Sequence, residues 1–312
     1  MKQKEILLFG ASGQIGRNLI RKLSKNNYKI TAVTRNIHRN GYILKTQANP
    51  GYLDLVELEN FNIDKVGSLI KNCSICINLI GILYEKKKDQ FKSIHIDLPN
   101  MLSQKAQEFK IEKFIHLSSL GIENASDSKY ALSKIEGEKK ILSNFKKPVI
   151  IKPSIVYSVD DKFSTNFMSL LSRFPIMPLY YEGKTKFSPI HVLDLVDIIV
   201  KLIDDKPQKL ILECIGPEVL SFKEIINQLL HSIKKKRLLL PLPLPVAKIS
   251  AKILQLLPNP LLTEDQLNLL KYHNVKSGVH KTNFDLGLDA NRKFNEEIEK
   301  YSYNWRSGGQ FA

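Results

Sequence analysis

Glu5-Ile6-Leu7-Leu8-Phe9-Gly10-Ala11-Ser12-Gly13-Gln14-Ile15-Gly16 is the stretch whose reading decides the fold. An apolar run that reads as a strand stops at a glycine. Glycines then recur with the spacing G-x-x-G-x-x-G into a helical pattern. Gly10 permits the tight turn, and Gly13 lets main-chain amides approach a pyrophosphate with no Cβ in the way. Gly16 lets the helix pack close to the strand. The helix N-terminus adds partial positive charge and free N–H groups. Gly10, Ser12, Gly13, Gln14, Ile15 and Gly16 are therefore expected to hold a dinucleotide.

Outward from this turn, apolar runs alternate with helical patterns. The expected strands are 28–33, 52–58, 75–80, 114–118 and 149–152, and the expected helices 14–26, 64–71, 98–109 and 129–144. Such alternation predicts an α/β Rossmann fold: a doubly wound parallel sheet with helices on both faces. Residues 163–174 and 190–204 read as helices and 210–215 as a late strand, so the Rossmann domain is expected over 1–215. Residues 216–312 are expected to form a smaller, mainly helical substrate or partner region. Within it, 238–262 is apolar but interrupted by five prolines, which excludes one continuous helix. Val246 to Leu257 can still be a short amphipathic helix that packs on the core, docks on a partner or lies on a membrane surface. Thr263-Glu264-Asp265-Gln266 matches a capping box that opens another helix.

The second strand ends Thr31-Ala32-Val33-Thr34-Arg35, without an acidic residue to accept from a free ribose 2′-hydroxyl. Arg35 suits a 2′-phosphate, with Arg39 and Arg17 nearby, so NADPH is the expected form of the NAD(P) cofactor. Tyr130-Ala131-Leu132-Ser133-Lys134 places a phenol and an ammonium four apart on one helix face. Lys134 can lower the pKa of the Tyr130 phenol and hold the nicotinamide ribose, and Ser118 can orient a substrate carbonyl. Ser118, Tyr130 and Lys134 are the expected catalytic set.

The formal net charge of +16 favours anionic partners. The basic runs Lys86-Lys87-Lys88 and Lys234-Lys235-Lys236-Arg237 carry no interleaved aromatics, so nucleic acid is not an expected partner. Cys73 and Cys76 form C-x-x-C but precede and enter a strand, where residues three apart face opposite ways; buried structural cysteines are expected, and no metal site. No presequence is visible and no apolar stretch reaches the length of a membrane span, so a cytoplasmic protein is expected.

The glycine turn, Ser118 and the Tyr130/Lys134 pair resemble the short-chain dehydrogenase/reductase superfamily, in its NAD-dependent epimerase/dehydratase-like part. Further stretches are similar to its atypical branch, related to the thirty-nine-kilodalton NADPH-binding accessory subunit of respiratory complex I. These are Asn78 to Leu83, His116 to Gly121, Lys152 to Tyr157, Gly183 to Pro189, Leu262 to Leu267 with Asn274-Val275, and the tail Trp305 to Phe311. In one departure from that branch no mitochondrial presequence is visible, so a free-standing bacterial relative is expected. The resemblance places Asn78, Leu79 and Gly81 on the ribose side and Pro153 and Ser154 near the nicotinamide, with Asp194 mainly structural. It implies an oxidoreductase or epimerase acting on an unidentified small hydroxyl or carbonyl substrate. The alternative it implies is a non-catalytic NADPH-binding scaffold or assembly factor, linked to complex I or quinone metabolism and peripheral at the inner membrane.

Overall fold

A computed structural model describes residues 4–255, 260 and 262–311, with Ile253 and Phe311 described in backbone only. In chain order the elements are β1 (Glu5–Phe9), α1 (Gln14–Lys25), β2 (Lys29–Thr34), α2 (Ile37–Lys45), β3 (Leu53–Glu57), α3 (Ile63–Lys71) and β4 (Ile75–Asn78). Then come α4 (Leu98–Glu108), β5 (Lys113–Leu117), α5 (Lys129–Asn144), β6 (Val149–Pro153), β7 (Val156–Tyr157), α6 (Ser164–Arg173) and β8 (Ile176–Leu179). They are followed by β9 (Lys186–Phe187), β10 (Ile190–His191), α7 (Val192–Asp204), β11 (Leu210–Cys214), β12 (Leu220–Ser221) and α8 (Phe222–Ser232). The last are β13 (Leu238–Pro241), α9 (Leu244–Leu254), α10 (Glu264–Leu269), β14 (Lys281–Thr282) and α11 (Phe294–Glu299).

The main sheet has eight strands in the order β14-β11-β6-β5-β4-β1-β2-β3. Every pair from β6 to β3 is parallel. The order reverses between β1 and β4, the switch point where open α/β sheets bind ligands outside the carboxyl ends of their strands. β1 and β4 are nearly continuous apolar runs because both of their faces are covered.

The chain divides into two compact units. The first comprises residues 1–119, 132–152 and 195–212, and the second 120–131, 153–194 and 213–312. The chain passes between the units just after β5 and again inside α5, β6, α7 and β11. The first unit packs Leu7, Phe9, Cys76, Leu102, Phe114 and Ile150 into one core. The second packs Tyr157, Met168, Phe222, Ile226 and Phe294 into another.

Local capping rules account for the starts of four helices. Asn36 and Asn62 cap α2 and α3 through their side chains, and Ser221 and Thr263 each form a capping box, opening α8 and α10. The expected amphipathic helix is present as α9, two residues earlier than its sequence reading; residues 256–257 lie outside those described. All three cysteines are free, and Cys76 is buried in β4. Among the described residues, no helix is long and apolar enough to cross a membrane.

Candidate functional site

The glycine turn sits at the carboxyl end of β1, beside the switch point. Gly10 adopts φ +80°, and a Cβ there would lie 2.9 Å from the Leu79 carbonyl carbon. Gly13 donates its N–H to the Gly10 carbonyl at 3.1 Å and opens α1 with no side-chain cap. The first turn of α1 holds no acidic residue. A Cβ on Gly16 would come within 2.4 Å of the Gly10 carbonyl oxygen, so only glycine lets α1 start this close to β1. Gly13 is exposed, while Ser12, Gln14 and Ile15 are half-buried around it. The Arg17 guanidinium donates to the Ser12 carbonyl and steadies the loop. The helix end at the cradle has no side-chain cap and carries partial positive charge. These residues fit the two linked phosphates of a dinucleotide.

Arg35 follows β2 and is exposed, as is Arg39. Parallel pairing sets Thr34 of β2 opposite Glu57 of β3, a neighbour that β2 alone does not reveal. The Glu57 carboxylate accepts the Ile37 N–H at 2.6 Å and so helps open α2. A guanidinium and an engaged carboxylate thus share this strand end.

The loop after β4 completes this side of the first unit. Asn78 is fully buried: its amide nitrogen meets His116 Nδ1 at 3.1 Å and its Oδ1 accepts the Ile80 N–H at 3.1 Å. Its side chain therefore shapes the loop, and the segment Leu79 to Gly81 carries the surface. Ile82 donates its N–H to His95 Nε2 at 3.1 Å. That bond leaves the proton of the neutral ring on Nδ1, which meets Ser133 Oγ at 2.8 Å. Burial, with the Lys134 charge nearby, pushes His95 down to about 3, so the ring is neutral at ordinary pH. A Cβ on Gly81 would stand 3.8 Å from His95 Nε2 and 4.0 Å from Lys134 Nζ, which places Lys134 against this loop.

Lys134 is buried and donates to the Leu117 carbonyl at 2.8 Å. Burial pushes it down to about 8; Glu138, one turn further along α5, opposes that shift and Lys152 adds to it. Lys152 and Glu138 form a buried ion pair at 2.9 Å. Ser118 is buried as well and donates its hydroxyl to the other oxygen of Glu138. The hydroxyl expected to face substrate is thus engaged inside the protein, while its neighbour Ser119 is half-buried. Sequence reasoning missed Glu138 and Lys152, although each left a signal: Glu138 stands four after Lys134, and Lys152 ends an apolar strand run. His95 left none.

In the second unit, Tyr130 is buried at the start of α5. Asp265 of α10 accepts from Ser128 Oγ at 2.9 Å and from the N–H groups of Lys129 and Tyr130 at 2.7 and 3.1 Å. A carboxylate more than a hundred residues away therefore caps the helix that carries Tyr130. Pro153 ends β6, and its carbonyl accepts the Leu120 N–H at 3.0 Å. Ser154 donates its hydroxyl to Asn274, whose amide reaches the Leu120 carbonyl. Asp194 binds both the guanidinium and the main-chain N–H of Arg292.

Residues 6–213 match the profile of the NAD dependent epimerase/dehydratase family. The chain belongs to that family. The chain is 27% identical to the mitochondrial NADH dehydrogenase [ubiquinone] 1 alpha subcomplex subunit 9 of Mus musculus, over 96% of this chain and 81% of that protein. It is 23% identical to the mitochondrial NADH-ubiquinone oxidoreductase 40 kDa subunit of Neurospora crassa, over 96% and 77%. It is also 23% identical to the ceramide reductase of Caulobacter vibrioides, over 77% and 74%. Among solved structures, dTDP-glucose 4,6-dehydratase of Bacillus anthracis in complex with NAD superposes with a TM-score of 0.72 at 14% identity, covering 97% of this chain and 96% of that one. MoeE5 in complex with UDP-glucose and NAD superposes with a TM-score of 0.70 at 14% identity, covering 96% and 98%. At these identities the likeness is one of fold.

Proposed function

We propose that this epimerase/dehydratase family member is an NADPH-dependent oxidoreductase or epimerase acting on a small hydroxyl or carbonyl substrate. The observation that carries the reading is the uncapped start of α1 above the Gly10, Gly13 and Gly16 cradle. Gly10, Ser12, Gly13, Gln14, Ile15 and Gly16 bind the pyrophosphate, Arg35 binds a 2′-phosphate, and the Leu79 to Gly81 segment lines the ribose. Pro153 and Ser154 belong to the nicotinamide side in this reading. When bound, the dinucleotide supplies or takes up the hydride. Lys134 holds the nicotinamide ribose hydroxyls. Tyr130, one turn earlier on α5, gives its proton to a carbonyl oxygen in reduction and removes it from a hydroxyl in oxidation. Ser118 acts at one remove, as a positioning residue that holds Glu138 beside Lys134.

The second reading is a non-catalytic NADPH-binding scaffold, attached to a respiratory or quinone-linked assembly. Its support is that the Ser118 and Ser154 hydroxyls are both turned to internal partners, together with the similarity to subunits of NADH dehydrogenase.

Calorimetric titration of the wild type, Arg35→Glu and Tyr130→Phe tests the proposal. NADPH is expected to bind the wild type about tenfold tighter than NADH, and Arg35→Glu to remove that preference. Tighter NADH binding by the wild type sinks the NADPH assignment. In the enzyme reading, Tyr130→Phe retains NADPH binding and loses about 100-fold or more in turnover. An unchanged cellular phenotype with NADPH still bound favours the scaffold.

A further inference from the structure

The second unit carries an exposed apolar face. β8 and β13 pair in parallel, with Ile176 opposite Leu238 and Pro178 opposite Leu240. Side chains alternate along a strand, and paired neighbours share a face. Met177, Leu179 and Leu239 turn into the core of the unit. Ile176, Leu238 and Leu240 are left 49%, 56% and 41% exposed on the other face. The ribbon is thus apolar on both sides, unlike a half-solvated sheet with a polar outer face.

α9 follows β13 after two residues and repeats the pattern. Ala247 and Ala251, one turn apart, pack against Tyr180 and Leu267. Val246 and Ile249, three apart on another face, are 49% and 60% exposed. Between Ile233 and Thr263 the chain has no acidic residue and six basic ones: Lys234, Lys235, Lys236, Arg237, Lys248 and Lys252. Lys235 and Arg237 donate to the Ser172 and Leu171 carbonyls at the end of α6, which fixes the basic run beside the ribbon.

We infer that this face docks on an anionic lipid bilayer surface. Ile176, Leu238 and Leu240 of the ribbon and Val246 and Ile249 of α9 enter the interfacial region, and the exposed Lys236 and Lys248 meet the headgroups. Two features select lipid over a protein partner. The apolar residues are aliphatic, without the polar groups that orient a protein contact. The surrounding cations are mainly lysines, which are depleted from protein interfaces but suit a bilayer surface, where the stem lies in the apolar zone and the ammonium in water. The contact is peripheral, since no described helix is long and apolar enough to span. It does not depend on nucleotide binding.

Flotation with phosphatidylcholine vesicles, with and without phosphatidylglycerol, tests the assignment. The wild type is expected to float with the mixed vesicles only, and less so as salt is raised. Each basic residue near an anionic surface adds about fivefold to partitioning, so Lys236→Gln with Lys248→Gln is expected to lower it roughly twentyfold or more. Val246→Asp with Ile249→Asp should lower it by at least about tenfold, with an unchanged circular dichroism spectrum. Failure of the wild type to float, or equal flotation of the aspartate variant, overturns the inference. So does a dimer in sedimentation that forms without vesicle binding and that Ile249→Asp dissociates; that outcome assigns the face to a second copy of the chain.

Discussion

Lys134 is the residue whose environment says most about the site. Its ammonium is taken out of water and lies close to a second buried lysine, so burial moves it down to about 8. The unfolded lysine titrates near 10.4. Between these two values the unfolded chain binds the proton more strongly, so stability rises with pH across that window. The cost of holding Lys134 charged is therefore present near neutrality and relieved as the solution becomes alkaline. Denaturant unfolding of wild type and Lys134→Met is expected to show the gap moving in favour of the wild type, by about 2 kcal/mol between about pH 7 and pH 10. A gap independent of pH would mean that Lys134 keeps an ordinary affinity for its proton. The Y-x-x-x-K spacing made this lysine legible in the sequence. Its partners were not, because Ser118, Glu138 and Lys152 meet only when β5, α5 and β6 pack.

At the scale of elements, α5 depends on a residue far along the chain. Asp265 accepts three hydrogen bonds at its N-terminus, where helix amides lack internal partners. Asp265→Ala is expected to cost about 1–2 kcal/mol and to speed exchange of the amides at Lys129 to Ala131. Unchanged exchange there would show that the cap is dispensable. The sequence marked the capping box of α10 but not this second use of its acidic residue. Local patterns also located most elements of the first unit, since the apolar runs and helix periods are written in consecutive residues. α2 escaped because Gly41 lies inside it and its apolar stripe is weak. β8 and β13 escaped because each is short and contains proline, and neither pairs with a sequence neighbour.

At the scale of the whole molecule, each unit has its own core, and the glycine turn belongs to the first. A ligand that binds only the folded state stabilises it by mass action. NADPH at a hundred times its dissociation constant is expected to add about 2.7 kcal/mol and to raise the melting temperature by about 5 °C or more. Scanning calorimetry with NADPH, and with NADH at equal concentration, checks this. Gly13→Ala, which puts a methyl group in the cradle, is expected to melt like the ligand-free wild type at either nucleotide. A full shift retained by that variant would place the nucleotide elsewhere.

The sequence alone determined what short-range geometry controls: the strand–turn–helix with its glycine spacing, the β/α alternation, the Y-x-x-x-K pair and most helix starts. Each depends on residues a few positions apart, whose backbone preferences and periodicity act before the chain closes on itself. Tertiary structure decided what burial and distant partners control. It turned the Ser118 hydroxyl to Glu138, moved Lys134 toward neutrality, set Glu57 opposite Thr34 at the end of β2 and left the aliphatic side of β8 and β13 facing outward. Desolvation and hydrogen-bond completion are set by what packs around a group, and that is written across the chain rather than along it.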